Sequence, residues 1–146
     1  MINNTIDTLN DVTKMLIDSQ KGYEKSADIV SDKVFYKTEF ERRAKQRGNL
    51  VLEFQAEVQR LGGDFETKGG VVGAMHRAGT DISSLFQDNE KAALEAIDDG
   101  EEKLFDTIKS KIKDDELTPS AIQLLNKAML SAREGEAFAD RWSENA

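Results

Sequence analysis

Apolar side chains recur at intervals of three and four residues along four separate stretches of this chain. That period returns a side chain to the same face of an α-helix at every turn, so each stretch predicts a helix with one apolar seam. The first helix is expected from about Asn4 to Ser31, with Ile6, Leu9, Thr13, Leu16, Gln20, Tyr23, Ala27 and Val30 on its seam. The second follows a tight connection near Asp32 and ends at Leu61, its seam reading Lys37, Phe40, Ala44, Arg47, Val51, Phe54, Val58 and Leu61. The third runs to about Lys113 through Leu94, Ile97, Glu101, Leu104, Ile108 and Ile112. The fourth runs to about Ser143, with Ile122, Leu125, Met129, Ala132, Glu136 and Ala139 inward and Trp142 near its end.

The punctuation agrees with the period. Gly62-Gly63 stops the second helix, because glycine takes the left-handed backbone that a helix end requires. Asp88 is a suitable N-cap for the third helix. Thr118 followed by Pro119 starts the fourth: a capping hydroxyl, then a proline where a missing N–H costs nothing. Residues 62–70 read as a glycine-rich loop, and a short helix is expected from Val71 to Phe86, with Val72, Met75, Ile82, Leu85 and Phe86 as its apolar members. Helices joined by so short a link as that near Asp32 must lie antiparallel. The expected fold is therefore all-α: an antiparallel four-helix bundle with an extra short helix between the second and third long helices, in one domain over residues 1–146.

Composition narrows the function classes. At 146 residues there is room for one core. No apolar stretch approaches the roughly 20 residues that span a bilayer, and the first residues carry neither a basic leader nor an apolar signal segment. Without cysteine there is no disulfide, thiolate ligand or thiol nucleophile. A cytoplasmic location fits. Net charge is −8, with 9 basic and 16 acidic side chains over residues 74–146 against 11 and 12 over residues 1–73. An acidic chain repels phosphate, so no nucleic-acid or membrane partner is expected. The locally basic stretch Lys33 to Arg47 reads as a solvated helix face interspersed with Glu39 and Glu41.

Each long seam is interrupted near its middle by a polar residue: Gln20 (with Glu24 beside it), Arg47, Glu101 and Glu136. Burying isolated charges costs several kcal/mol each, so these groups must be paired, bound to an ion, or displaced from the seam. Three readings stay open. Arg47 presents a fork of donors able to serve two carboxylates, Glu101 and Glu136, in a network with Gln20 that fixes helix register. Alternatively the heptad phase is shifted by one residue in a helix or two, which leaves some of these groups in solvent. The third reading is a metal site. Bundles that hold paired iron or manganese ions use Glu-x-x-His motifs, but His76 is the one histidine here and Gly73 stands three before it. A carboxylate-only site from Glu24, Glu101, Glu134 and Glu136 would suit a hard cation, although Arg47 at the same level would repel it. No cofactor is expected on the first two readings, and iron or manganese on the third.

Other chemistry has less support. Ser83 and Ser84 lie one to two turns from His76 with nothing to orient them, so no serine-type catalytic group is expected. The run Lys68-Gly-Gly-Val-Val-Gly-Ala-Met-His-Arg77 resembles a glycine-rich loop feeding a helix, with Gly70, His76 and Arg77 as candidate anion ligands. It lacks the Gly-Lys-Ser/Thr ending and the preceding strand of a phosphate loop.

Gly22-Tyr23, Glu53-Phe-Gln55 with Leu61-Gly-Gly63, Gly73-Ala-Met-His-Arg77 and Gly100-Glu101 occur here in order and at characteristic spacing. Together they resemble an uncharacterised bacterial family of small ferritin-like four-helix-bundle proteins, classed as a domain of unknown function, over nearly the whole chain. The resemblance implies a ferritin-like bundle in a bacterial cytoplasm and no particular reaction. Two departures stand out: Gly79 where an aromatic is usual after the His-Arg pair, and Glu134-Gly135-Glu136 where a histidine would be expected. The expected role is a non-enzymatic structural or interaction protein, stress-related by that kinship; the alternative is a carboxylate metal-binding protein with an incomplete di-metal site. Val34, Phe35, Leu50 and Leu52, partly off the second seam, either cover the short helix or offer a homodimer face. The sequence names no other protein partner.

Overall fold

The computed structural model describes residues 1–70, 90–114 and 116–143. Among them every regular element is helical: α1 (Ile2–Ile29), α2 (Val34–Arg60), α3 (Glu90–Asp114) and α4 (Pro119–Ser143). The expected helix over Val71 to Phe86 lies outside the described residues. No described helix is long and apolar enough to cross a membrane.

Local chemistry sets the helix ends. Gly62 takes φ +87°, its N–H donates to the Gln59 carbonyl, and the Gly63 N–H donates to the Val58 carbonyl. This is the paired closure of a Schellman cap. Gly63 is needed for space as well, since a Cβ there would stand 2.8 Å from Ile6 Cδ1 on α1. At the other boundary the Thr118 hydroxyl accepts from the Ala121 N–H, and the Thr118 N–H donates to the Thr5 hydroxyl. α4 therefore starts at Pro119 and is pinned to the first turn of α1. The extended chain after α2 is clasped by Asn10. Its amide donates to the Asp64 carbonyl at 2.9 Å and its Oδ1 accepts from the Glu66 N–H at 3.0 Å. Gln55 adds a bond to the Glu66 carbonyl. These partners stand in for the ladder bonds that an irregular segment lacks.

α1 packs most extensively on α2 and α3 on α4; α1 also packs on α3, and α2 touches α4 more lightly. The buried apolar side chains among the described residues form two clusters. The larger contains Leu9, Leu16, Leu50, Phe54, Leu104, Ile108 and Leu125; the smaller contains Tyr23, Val30, Phe40, Leu94, Ile97 and Ala139.

Two sequence expectations are corrected by this packing. Leu50 is 2% exposed and belongs to the core, because the inward face of α2 takes in positions 47, 50, 51, 54 and 58 together. The apolar face offered for a homodimer therefore reduces to Val34 (75% exposed), Phe35 (54%) and Leu52 (64%). In α4 Leu125, Ala132 and Ala139 face inward as expected, but Ala121, Ala128 and Gly135 take the inward places expected of Ile122, Met129 and Glu136. Apart from Leu125, the larger apolar side chains of α4 flank its contact face, and small ones occupy the centre. Small side chains let the helix axis approach closely, so bulk was a misleading guide to phase.

Candidate functional site

Between the two apolar clusters lies a layer of polar side chains drawn from all four helices. Its centre is a buried ion pair, Arg47 (1% exposed) on α2 and Glu101 (3%) on α3. The guanidinium grips the carboxylate with two parallel bonds: Nη1 donates to Oε1 at 2.6 Å and Nη2 donates to Oε2. Such forked geometry is the strongest form of charge-assisted hydrogen bond. The Tyr23 hydroxyl, on α1, donates to Glu101 Oε2 at 2.8 Å. Arg47 Nε donates to Ser131 Oγ on α4 at 3.1 Å, and Nη1 also donates to Ser19 Oγ on α1. Ser131 Oγ in turn reaches Gln46 Oε1 at 3.5 Å.

The periodicity that buries each of these helices also delivers these groups to one level. Tyr23, Arg47 and Glu101 lie on the same seams as Leu16, Val51 and Leu104. Space for the carboxylate comes from α4. An ideal Cβ at Gly135 would stand 1.9 Å from Glu101 Oε2 and 2.4 Å from the Tyr23 hydroxyl. A glycine in mid-helix costs roughly 1 kcal/mol relative to alanine, and here that cost is offset by what fits in its place.

Electrostatics follow from the burial. Burial, then the Glu101 charge, raises the Tyr23 hydroxyl well above its ordinary range, with Arg47 opposing, so Tyr23 stays a neutral donor. Burial alone would lower the Arg47 guanidinium; the hydrogen bonds and charge of Glu101 outweigh it and raise it.

The remaining sequence-nominated residues lie elsewhere. Gln20 is half-buried, donates to Glu24 at 3.2 Å, and packs beside Gly48 rather than on Arg47. Glu24 is exposed, on the rim of an open groove of about 340 Å³ between α1 and α2 that Asp28, Glu41 and Lys45 also line. Glu134 is exposed. Glu136 is half-buried outside the layer, because position 135 occupies the inward place assigned to it; its charge falls on Asp98 instead. Glu24, Glu101, Glu134 and Glu136 thus do not converge, and among the described residues no group of three or more metal-ligating side chains comes together. The carboxylate set does not fit a di-metal centre. Gly70 is exposed with the Asp18 carboxylate beside it, which opposes an anion; His76 and Arg77 lie outside the described residues.

Sequence reasoning did not nominate Ser19, Ser131 or Gly135, and placed Tyr23 as a seam residue without its hydroxyl bond. The signal for α4 was present: Ala121, Leu125, Ala128, Ser131, Gly135 and Ala139 recur every three or four residues, a small-residue stripe as regular as any apolar one.

Beside the layer, burial and then the carboxylates of Asp140 and Glu136 raise the Asp98 carboxyl above its ordinary range. A carboxyl raised in the folded state binds its proton more readily there than in the unfolded chain. It therefore costs nothing below the unfolded pKa, and its penalty builds as pH rises to the folded value and persists above it. Asp98→Asn is expected to raise the thermal midpoint at about pH 7 and to leave it unchanged at about pH 3, where both states are protonated. Melts followed by circular dichroism at the two pH values check this; equal gains at both would show that repulsion plays no part.

The pair is engaged by the chain itself: Glu101 has donors on both oxygens, and Arg47 donates through Nε, Nη1 and Nη2. Searches of curated proteins and of solved structures find no match to the chain. A family model described as Domain of unknown function (DUF2383) matches residues 4–114, well over half of the sequence, and the chain belongs to that family.

Proposed function

We propose that the chain is a non-enzymatic structural or interaction module: one antiparallel, ferritin-like bundle whose central polar layer fixes helix register and whose surface does the work. The carrying observation is the Arg47–Glu101–Tyr23 constellation, in which Glu101, the one carboxylate buried among the described residues, has both oxygens hydrogen-bonded by the chain itself. An enzymatic or metal-binding bundle centre needs a ligand position that is open. The antiparallel reading of α1 with α2, and of α2 with α4, is supported by starts that meet ends. Asn10 near the start of α1 meets the chain after α2, and Phe35 at the start of α2 stacks on Trp142 at the end of α4; Thr5 at the start of α1 meets Thr118 before α4, so those two helices run the same way. Stress-related duty and a bacterial cytoplasmic setting follow from the ferritin-like kinship. Self-association through Val34, Phe35 and Leu52 extends the same reading.

The test pairs composition with size. Purified protein incubated with iron(II) or manganese(II), desalted and analysed for metal, is expected to retain none in proportion to the chain. Stoichiometric metal that disappears in Glu101→Gln would overturn the structural reading in favour of a carboxylate metal protein. Light scattering across a concentration series is expected to show association; a monomer at every concentration would remove the homodimer.

A further inference from the structure

The polar layer divides the core, and several unfavourable features lie on the side of the α1–α2 link, although Ile2, Leu52 and Leu130 hold large apolar surface in water elsewhere. On that side the buried cluster is the smaller of the two and is built around Phe40, Leu94 and Ile97. Arg43 lies there, 7% exposed, over the Phe138 ring at 5.3 Å. Its Nε faces Glu39 Oε1 at 3.0 Å, but among the described residues neither Nε nor Nη1 has a hydrogen-bond acceptor of proper geometry. Buried donors without acceptors cost free energy that the fold must recover elsewhere. Val34 and Phe35 hold large apolar surface in water at the same end. Asp98 stands there against Asp140 and Glu136, like charges across α3 and α4. Among the described residues the buried cluster on the other side of the layer is the larger, and both clusters draw on all four helices.

We infer that the bundle opens from its aromatic end as one unit: the α1–α2 link with the first turns of α2, the first turns of α3 and the last turns of α4 separate together, while the Arg47–Glu101 layer and the larger cluster stay closed. The layer acts as the boundary because its charged groups bond to one another across the core, which separates the apolar contacts on one side from those on the other. Proteins open in contiguous cooperative units of unequal stability, and the unit with fewer buried contacts opens more often. The aromatic contacts Tyr36–Trp142 and Phe40–Phe138 tie the start of α2 to the end of α4, and Leu94 and Ile97 of α3 pack in the same cluster as Phe40 and Ala139, so none leaves alone.

Amide hydrogen exchange of the full chain, read by mass spectrometry over a series of low urea concentrations, tests this. Amides in residues 36–41, 94–98 and 136–141 are expected to exchange at least about tenfold faster, after correction for intrinsic rates, than those in residues 50–58, 104–108 and 121–132, and to share one dependence on urea. Trp142→Ala, which removes a half-buried ring without touching the layer, is expected to speed exchange in the three segments together by about fivefold or more and to leave the second group unchanged. Should Trp142→Ala fail to fold, the wild-type urea series decides alone. Graded rates that rise smoothly toward each helix terminus, or equal protection on both sides of the layer, would overturn the inference.

Discussion

Arg47→Ala is expected to lose about 3–5 kcal/mol of folding stability, the typical cost of leaving one member of a buried ion pair without its partner. The Glu101 carboxylate would keep only the Tyr23 hydroxyl as a donor from this set, in surroundings where water does not reach it. Reversible urea unfolding measures the loss. The informative comparison is the double variant Arg47→Met, Glu101→Leu, which removes both charges and retains most of the volume. Replacing a whole buried pair by apolar groups is often close to neutral, so the double variant should retain at least about 2 kcal/mol more than Arg47→Ala. Some deficit remains in it, because Tyr23 and Ser131 lose partners. If Arg47→Ala costs under about 1 kcal/mol, the pair is screened by solvent and the layer is not the register device argued above.

The second large effect comes from adding one carbon atom. Gly135→Ala would ordinarily stabilise a helix interior by roughly 1 kcal/mol. Here the new Cβ would overlap Glu101 Oε2 and the Tyr23 hydroxyl, so the carboxylate must leave its place on Arg47 or α4 must move outward. Overpacking costs typically 1–3 kcal/mol, and disruption of the ion pair adds to it. A net loss of about 2–4 kcal/mol is expected. Gly100→Ala is the matched control: it is also in mid-helix, exposed, with nothing within 4 Å of the added carbon. It should gain about 0.5–1 kcal/mol. Thermal melts of the two variants should therefore move in opposite directions from the parent. Two gains would show that the Gly135 pocket has slack; two losses would show that α3 is under a constraint at Gly100 unrelated to space.

The fold was legible because period and punctuation point the same way. Thr118-Pro119 gave the start of α4 to the residue, and Gly62-Gly63 the end of α2, since both signals rest on backbone chemistry that no tertiary contact overrides. The polar interruptions at Arg47 and Glu101 were legible for a related reason: a charge on an otherwise apolar seam has few places to go. Glu136 and Gln20 show where this reasoning fails. In α4 the largest apolar residues, Ile122 and Met129, suggested a phase one residue late, and the alanines, serine and glycine that face inward carry little hydrophobic signal. Gln20 needed only a short tilt to reach Glu24 and the edge of the groove. Ser19 and Ser131 could not be nominated at all, because a hydroxyl's role depends on a donor supplied from another helix.

The family model matches the chain as far as residue 114, and α4 lies beyond the match. Ala121, Leu125, Ala128 and Ala132 of α4 complete the larger cluster, and Ser131 closes the ring of bonds around Arg47. Without α4, Leu104 and Ile108 would lose the side chains that cover them on that face, and Arg47 Nε would lose its acceptor. A break in the connection before Pro119 should therefore cost this chain both its larger cluster and its polar layer at once.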